Sequence, residues 1–121
     1  MQELVYICSP LRGDISGNIL QGAEYCFAVA RCGDVPIAPH VYFTRFLRDG
    51  IHQERELGLS MGLTLMHRCD RLAVFLKNGI SEGMWGEINA AKEADMPIAY
   101  YRDEQEYLER NRKNNGTDML C

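Results

Sequence analysis

The sequence of 121 residues lacks several features that would place it in a specialised class of protein. It has no run of lysine and arginine, and its formal net charge is −4, which argues against a nucleic-acid or anionic-membrane surface. No apolar stretch approaches the roughly 18 residues that a membrane-spanning helix needs. There is no internal repeat and no low-complexity segment. We therefore expect neither a nucleic acid nor a membrane as a partner.

The five cysteines lack the spacing of a disulfide framework or a metal site. Their number is odd, no secretory h-region precedes them, and neither a CxxC pair nor a His-rich segment accompanies them. A chain of this length buries roughly two-thirds of the surface that its unfolded form exposes, so it can form a core without disulfide bonds or a structural metal. We expect reduced thiols in a cytoplasmic protein, and no metal site.

What is present is the composition of one globular domain, with 46% hydrophobic and 25% charged residues. Short apolar runs rich in β-forming residues alternate with segments of helical periodicity. Strands are predicted at residues 4–8, 35–38, 71–76 and 97–101. Helices are predicted from residue 18 to a glycine stop at residue 33, and at residues 54–67, 84–94 and 103–112. The domain is expected to span residues 1–112, followed by a polar tail at residues 113–121.

This alternating order of strands and helices predicts a single-domain α/β fold. The sheet is expected to be a doubly wound (Rossmann- or flavodoxin-like) parallel sheet of four to five strands, with helices on both faces. Ligands of such sheets bind at the carboxyl ends of the strands, near the switch in strand order. Three segments leave those ends, at residues 9–17, 39–53 and 77–87. The middle segment is predicted to be a loop, and its length is typical of a functional loop.

The first segment, S-P-L-R-G-D-I-S-G-N, has the ingredients of a phosphate site. Free backbone N–H groups at a helix N-terminus, together with the forked donor of Arg12, can bind a phosphate. The segment is neither a GxGxxG motif nor a Walker loop, and a structural turn with a surface arginine explains it equally well.

The third segment, N-G-I-S-E-G-M-W-G-E, combines glycines with a carboxylate. Gly79, Gly83 and Gly86 keep the turn slim, so a ligand can approach the backbone. Glu87 follows near the mouth of the predicted crevice, where an ionised carboxylate can act as nucleophile or general base. Alternatively, it merely complements the dipole of the helix.

Other side chains in these segments allow two interpretations. His40 either contacts a phosphate or a base, or is a loop histidine without a function. Tyr42, Phe43, Phe46 and Trp85 either stack on a nucleobase or pack against the protein. The helix at residues 54–67 is apolar on more than one face, which predicts a homodimer or a larger homo-oligomer.

Five motifs, which together cover most of residues 4–101, resemble the nucleoside 2-deoxyribosyltransferase-like superfamily. The resemblance is to a branch named only as a domain of unknown function. The motifs are Y-I-C-S-P-L-R-G-D, V-P-I-A-P-H-V-Y-F, E-R-E-L-G-L-S-M-G-L, C-D-R-L-A-V-F and S-E-G-M-W-G-E-I.

The resemblance implies roles for particular residues. Tyr6, Arg12 and Gly13 match positions that line the sugar and phosphate site of the superfamily. Glu87 matches its nucleophile. Ser81, six residues earlier, stands where the 5′-monophosphate N-glycosidases have a serine that contacts phosphate, which implies a phosphorylated ligand.

The sequence departs from the superfamily at two places. Pro10 replaces a phosphate-contacting serine, and a hydroxyl appears one position earlier, on Ser9. The aspartate that orients the nucleophile and the leaving base falls on Gly62, so Glu54 or Glu56 would have to substitute for it.

We therefore expect an enzyme that cleaves or transfers the N-glycosidic bond of a nucleoside or its 5′-monophosphate, without a metal or an organic cofactor. Glu87 would form a covalent sugar intermediate, and Tyr6 would position the nucleophile or the sugar. The expected substrate-binding residues are Ser9, Arg12, Gly13, Asn18, His40, Ser81 and Gly83.

Two other functions remain open from the sequence. One is a non-catalytic protein that sequesters a nucleotide or an ADP-ribose derivative, as would suit phage counter-defence. The other is a flavodoxin-like interaction domain, which leaves Glu87, Ser81 and Arg12 without a shared purpose.

Overall fold

The computed structural model describes residues 1–111, which form four strands and five helices. The strands are β1 (Leu4–Cys8), β2 (Val35–Ile37), β3 (Arg71–Phe75) and β4 (Ile98–Tyr101). The helices are α1 (Ile15–Arg31), α2 (Pro39–Phe43), α3 (His52–Met66), α4 (Glu82–Glu93) and α5 (Glu104–Asn111).

All strand pairs are parallel, and the strand order is β2-β1-β3-β4. The chain moves outward from β1 to β2, then returns to β3 beside β1 and continues to β4. The switch in strand order therefore lies between β1 and β3, whose carboxyl ends lead into residues 9–14 and 76–81. The fold predicted from the sequence is confirmed, with four strands.

The two central strands are apolar without alternation because helices cover both faces of the sheet. Residues 5–8 of β1 and 72–75 of β3 are fully buried. On one face, α1 and α5 enclose a core in which the rings of Tyr25 and Phe75 stack at 3.9 Å between centroids. On the other face, α3 and α4 pack against Tyr6 and Leu72.

Two predictions about local structure were wrong in part. Helix α1 begins at Ile15 rather than at residue 18, because the side chain of Asp14 accepts a hydrogen bond from the Gly17 N–H at 3.2 Å and caps the helix. The segment at residues 39–53 is not a loop throughout, since Pro39 opens the short helix α2 in the position where proline favours helix initiation. The predicted tail at residues 113–121 lies outside the described residues, as does the end of the last predicted helix.

The outer face of α3 remains apolar and exposed, as its sequence pattern indicates. Gly62 and Met66 are its buried residues, whereas Leu57 and Leu59 expose 50% and 44% of their surface. Such a face fits the predicted homo-oligomer, which remains a prediction.

Three further findings concern residues 1–111. The four cysteines in this part of the chain, Cys8, Cys26, Cys32 and Cys69, are free thiols. No group of three or more His, Cys, Asp or Glu side chains there could hold a metal ion. None of the helices there is long and apolar enough to cross a membrane.

Candidate active site

The structure brings Tyr6 and Glu87 together, although they are 81 residues apart in the chain. Tyr6 lies two residues before the end of β1 and faces α4, and Glu87 lies in the second turn of that helix. The phenol of Tyr6 donates a hydrogen bond to Oε2 of Glu87. Because the effect of a helix dipole falls off within the first turn, complementing that dipole does not explain the position of Glu87.

The environment of Glu87 changes its ionisation. Burial raises the pKa of Glu87 from 4.5 to about 7, although hydrogen bonds from Tyr6 and Cys8 lower it. At neutral pH the carboxyl group is therefore divided between its acid and its carboxylate. The sequence led us to expect a simply ionised Glu87, because it did not show that this side chain is buried.

Cys8 is a part of this site that the sequence did not single out. It lies two residues after Tyr6 on β1, on the same face of the sheet. Its thiol donates a hydrogen bond to the carbonyl oxygen of Met84 at 3.8 Å, and it lies close enough to Glu87 to lower the pKa of that carboxyl group. Burial, together with the charge of Glu87, raises the pKa of the Cys8 thiol, so this group remains protonated. Because side chains alternate along a strand, the position of Cys8 two residues after Tyr6 could have placed it in this site from the sequence.

Helix α3 approaches the same pair at Gly62. A Cβ atom at Gly62 would lie 3.4 Å from the phenol oxygen of Tyr6, so this position of α3 faces the site without a side chain. The two glutamates considered as substitutes have other contacts. Glu54 accepts a hydrogen bond from the Arg48 N–H at 2.8 Å, and Glu56 lies 3.9 Å from the Arg55 guanidinium.

The loop after β1 is organised by its own side chains. The amide of Asn18 donates to the carbonyl oxygens of Leu11 and Arg12, at 2.9 and 3.1 Å. Gly13 has φ +96°, a backbone conformation that favours glycine. The exposed Arg12 donates from Nε to Asp49 at 2.9 Å. Asp49, which the sequence did not single out, also lies 3.6 Å from Arg55.

Ser9 and His40 form a second close pair. The buried hydroxyl of Ser9 lies 3.1 Å from Nε2 of His40. This contact connects the residue that follows β1 to the helix α2, which follows β2. Burial lowers the pKa of His40 from 6.5 to about 4, which makes the imidazole neutral at physiological pH. The ring lies beside α1 at Gly22, where the absence of a side chain leaves room for it.

The start of α4 combines a structural cap with open backbone. The Ser81 hydroxyl accepts a hydrogen bond from the Met84 N–H at 3.3 Å and so caps the helix. A Cβ atom at Gly83 or Gly86 would meet no atom within 4 Å beyond its chain neighbours and the adjacent backbone of the helix. Gly79 has φ +82° and is required by the turn.

The aromatic side chains after β2 pack on one another. The rings of Tyr42 and Phe46 meet edge to face at 5.3 Å, and Phe43 completes the cluster. Tyr42 and Phe46 nevertheless expose more than half of their surface, and Trp85 on α4 is also exposed. These rings are accessible to a ligand or to another protein surface.

The fold is that of an α/β protein of the doubly wound, flavodoxin-like class, and the partly buried pair of Tyr6 and Glu87 lies at its strand switch. Residues 3–101 match the family model described as "Domain of unknown function (DUF7768)", and the chain belongs to this family. A search of curated protein sequences gave no match.

A solved structure with a similar fold is a 2-deoxyribosyltransferase from the psychrotolerant bacterium Bacillus psychrosaccharolyticus, described as a biocatalyst for the synthesis of nucleosides. The TM-score is 0.70, the sequence identity is 13%, and 95% of each chain is covered. The likeness establishes a shared fold. It therefore supports, at the level of the fold, the resemblance that was inferred from the sequence.

Proposed function

We propose that the protein cleaves or transfers the N-glycosidic bond of a nucleoside or a nucleoside 5′-monophosphate. The observation that carries this proposal is the hydrogen bond between Tyr6 and Glu87, beside the carboxyl ends of the two central strands. A carboxyl group with a pKa of about 7 provides a substantial carboxylate fraction at neutral pH, and a tyrosine orients it. The 2-deoxyribosyltransferase of similar fold supports the same class of reaction.

In the first step, an oxygen of Glu87 attacks C1′ of the sugar through an oxocarbenium-like transition state. The bond from C1′ to the base breaks, and its electron pair stays on the base nitrogen. In the second step, water or a second base attacks C1′ and restores the carboxylate, with net retention of configuration. The Tyr6 phenol positions the carboxylate during both steps.

The loops around this pair supply the groups that would bind the sugar and its 5′ side. Arg12 and the backbone N–H groups near Gly13 and Gly83 would bind a phosphate. Arg12 would then bind the phosphate in place of Asp49. The roles proposed for Asn18 and Ser81 combine a structural contact in the free protein with a contact to the ligand. The complete set is Ser9, Arg12, Gly13, Asn18, His40, Ser81 and Gly83.

A base-release and base-exchange assay tests the proposal. Deoxynucleosides and their monophosphates are incubated with the protein, with and without a free acceptor base. We expect a product that Glu87→Gln abolishes and that the control Glu82→Gln, an exposed glutamate in the first turn of the same helix, preserves. Product formation that survives Glu87→Gln would contradict the proposal.

A second candidate function is a protein that binds and sequesters a nucleotide or an ADP-ribose derivative without cleaving it. The glycine at position 62, which leaves Glu87 without a second carboxylate in contact, favours this alternative. Equilibrium binding with a ligand that is recovered intact after denaturation would distinguish it from the enzyme.

We also propose that the protein is a homo-oligomer, because α3 exposes leucines on its outer face. Light scattering coupled to size-exclusion chromatography measures the mass directly. A monodisperse monomer would contradict this proposal.

A further inference from the structure

Glu87 has hydrogen-bond donors but no cationic partner among residues 1–111. Its contacts are the phenol of Tyr6 and the thiol of Cys8, and both of these groups are neutral. No arginine, lysine or histidine in the described part of the chain forms an ion pair with it. An ionised Glu87 would therefore be a partly buried negative charge without compensation, which is unfavourable until a positive charge arrives.

The neighbouring groups are also poor proton donors. Burial raises the pKa of Tyr6 and of Cys8 above their usual values, so neither releases its proton readily at neutral pH. His40 has a pKa of about 4 and has already lost the proton that it could donate. A general acid works best when its pKa lies near the working pH.

Helix α3 does not supply the missing acid. It approaches Tyr6 at Gly62, where there is no side chain; the Glu54 carboxylate accepts from the backbone N–H of Arg48, and that of Glu56 lies near the Arg55 guanidinium. Glu87 itself has a suitable pKa, but one carboxyl group cannot be the nucleophile and the proton donor in the same step. A neutral purine or pyrimidine would thus have to leave without protonation by these groups.

We propose that the substrate is a nucleoside or nucleoside 5′-phosphate whose base is a positively charged, quaternised heterocycle, such as a pyridinium or an N7-alkylated purine. This inference rests on the proposed function and specifies the substrate class of the same site. The positive ring supplies the charge that Glu87 lacks and stabilises its carboxylate form. The same ring leaves without a proton, because bond cleavage neutralises it.

The reaction balances for nicotinamide mononucleotide. The bond from C1′ to the ring nitrogen breaks, its electron pair neutralises the pyridinium, and a bond forms from C1′ to an oxygen of Glu87. Water then attacks C1′, the carboxylate is released, and the proton from water goes to solvent. No oxidant or reductant takes part, and one proton is released for each bond cleaved.

The matched pair 7-methylguanosine 5′-monophosphate and guanosine 5′-monophosphate tests the inference, because the two compounds differ by a methyl group and the charge that it brings. Cleavage is measured at pH 6, where the methylated base keeps its N1 proton and its positive charge, with the wild-type protein, Glu87→Gln and Glu82→Gln, after subtraction of the rate without enzyme. Nicotinamide mononucleotide is the third substrate, with proton release measured in weak buffer.

Since a general acid typically contributes about 100-fold or more, we expect the Glu87-dependent rate to be at least about 100-fold higher for the methylated compound. We also expect nicotinamide mononucleotide to be cleaved with one proton released for each nicotinamide. A smaller ratio, with Glu87-dependent cleavage of the unmethylated compound, would overturn this inference and leave the proposed function intact. If neither these compounds nor the deoxynucleosides are cleaved, both proposals are wrong.

Discussion

The phenol of Tyr6 donates a hydrogen bond to the carboxyl group of Glu87 and so links β1 to the second turn of α4. This contact lowers the pKa of Glu87, while burial raises it to about 7. The balance of the two effects gives the site a carboxyl group that titrates in the physiological range. The chemistry that we propose depends on that balance.

Removal of the phenol should raise the pKa of Glu87. In Tyr6→Phe the carboxylate loses a hydrogen-bond donor, so its pKa should lie above about 7. Because the nucleophile must be ionised, the acid limb of the profile of kcat/KM against pH should move to higher pH. Titration of the Glu87 carboxyl carbon by NMR measures the same shift without activity. Tyr42→Phe, at an exposed tyrosine, is the control, and an unchanged pKa in Tyr6→Phe would contradict this role.

Stability should depend on pH through Glu87. Its pKa is raised in the folded state, so between pH 4.5 and about 7 the folded protein binds more protons at this group than the unfolded chain. The stability that this group contributes is present below pH 4.5 and is lost as the pH rises through about 7. Each pKa unit corresponds to about 1.4 kcal/mol, so the full difference is on the order of 3 kcal/mol.

Urea unfolding of the wild-type protein and Glu87→Gln at pH 4.5 and pH 8 measures this effect. We expect the glutamine variant to gain about 2 to 3 kcal/mol relative to the wild-type protein over that interval. Glu82→Gln serves as the control on the same helix. Parallel stability curves for the wild-type protein and Glu87→Gln would show that Glu87 is not buried as the structure indicates.

Asp49 should compete with a phosphate for Arg12. The Asp49→Asn variant removes the ion pair at 2.9 Å and leaves the guanidinium available to a ligand. Exposed ion pairs contribute up to about 1 kcal/mol, so a nucleoside 5′-monophosphate should bind up to about fivefold more tightly. The affinity for the unphosphorylated nucleoside should not change.

Isothermal titration calorimetry compares these two affinities. Glu56→Gln is the control, because Glu56 lies near Arg55 and makes no ion pair with Arg12. An equal change for the nucleoside and its monophosphate would exclude a specific contact between Arg12 and the phosphate.

The open backbone at Gly83 allows a test of ligand approach. In Gly83→Ala the new Cβ atom meets nothing within 4 Å beyond its chain neighbours and the adjacent helix backbone, so the melting temperature should be unchanged or higher. A ligand that lies against this backbone would collide with the methyl group, and its affinity should fall at least tenfold. Gly58→Ala on α3, where a Cβ atom meets Leu47 in ordinary contact at 3.6 Å, is the control. Unaltered affinity in Gly83→Ala would place the ligand elsewhere.

The sequence predicted the fold well because its strongest signals are local. The unalternated runs of β1 and β3 indicated a sheet covered on both faces, and the glycines at positions 79, 83 and 86 indicated where Glu87 enters, although Gly83 and Gly86 lie within α4. The start of α1 was missed because it depends on a single cap by Asp14. Short-range sequence patterns indicate that a helix or strand is present more reliably than they indicate the residue at which it begins or ends.

The contacts within the site could not be predicted in the same way. Arg12 and Asp49 are 37 residues apart, and their pairing depends on how α2 and α3 lie against the loop after β1. The raised pKa of Glu87 depends on burial by several elements at once, for which no motif is a signal. The close approach of α3 to Tyr6 explains Gly62 only after the helix is in place.

The central claim is that Glu87 forms a covalent bond to the sugar. A fluorinated sugar substrate that resolves slowly should trap this intermediate, and mass spectrometry of the intact and digested protein detects it. We expect a mass increase equal to the sugar moiety on the peptide that contains Glu87, and no increase in Glu87→Gln. Consumption of the substrate without an adduct, or an adduct on a different residue, would contradict the account.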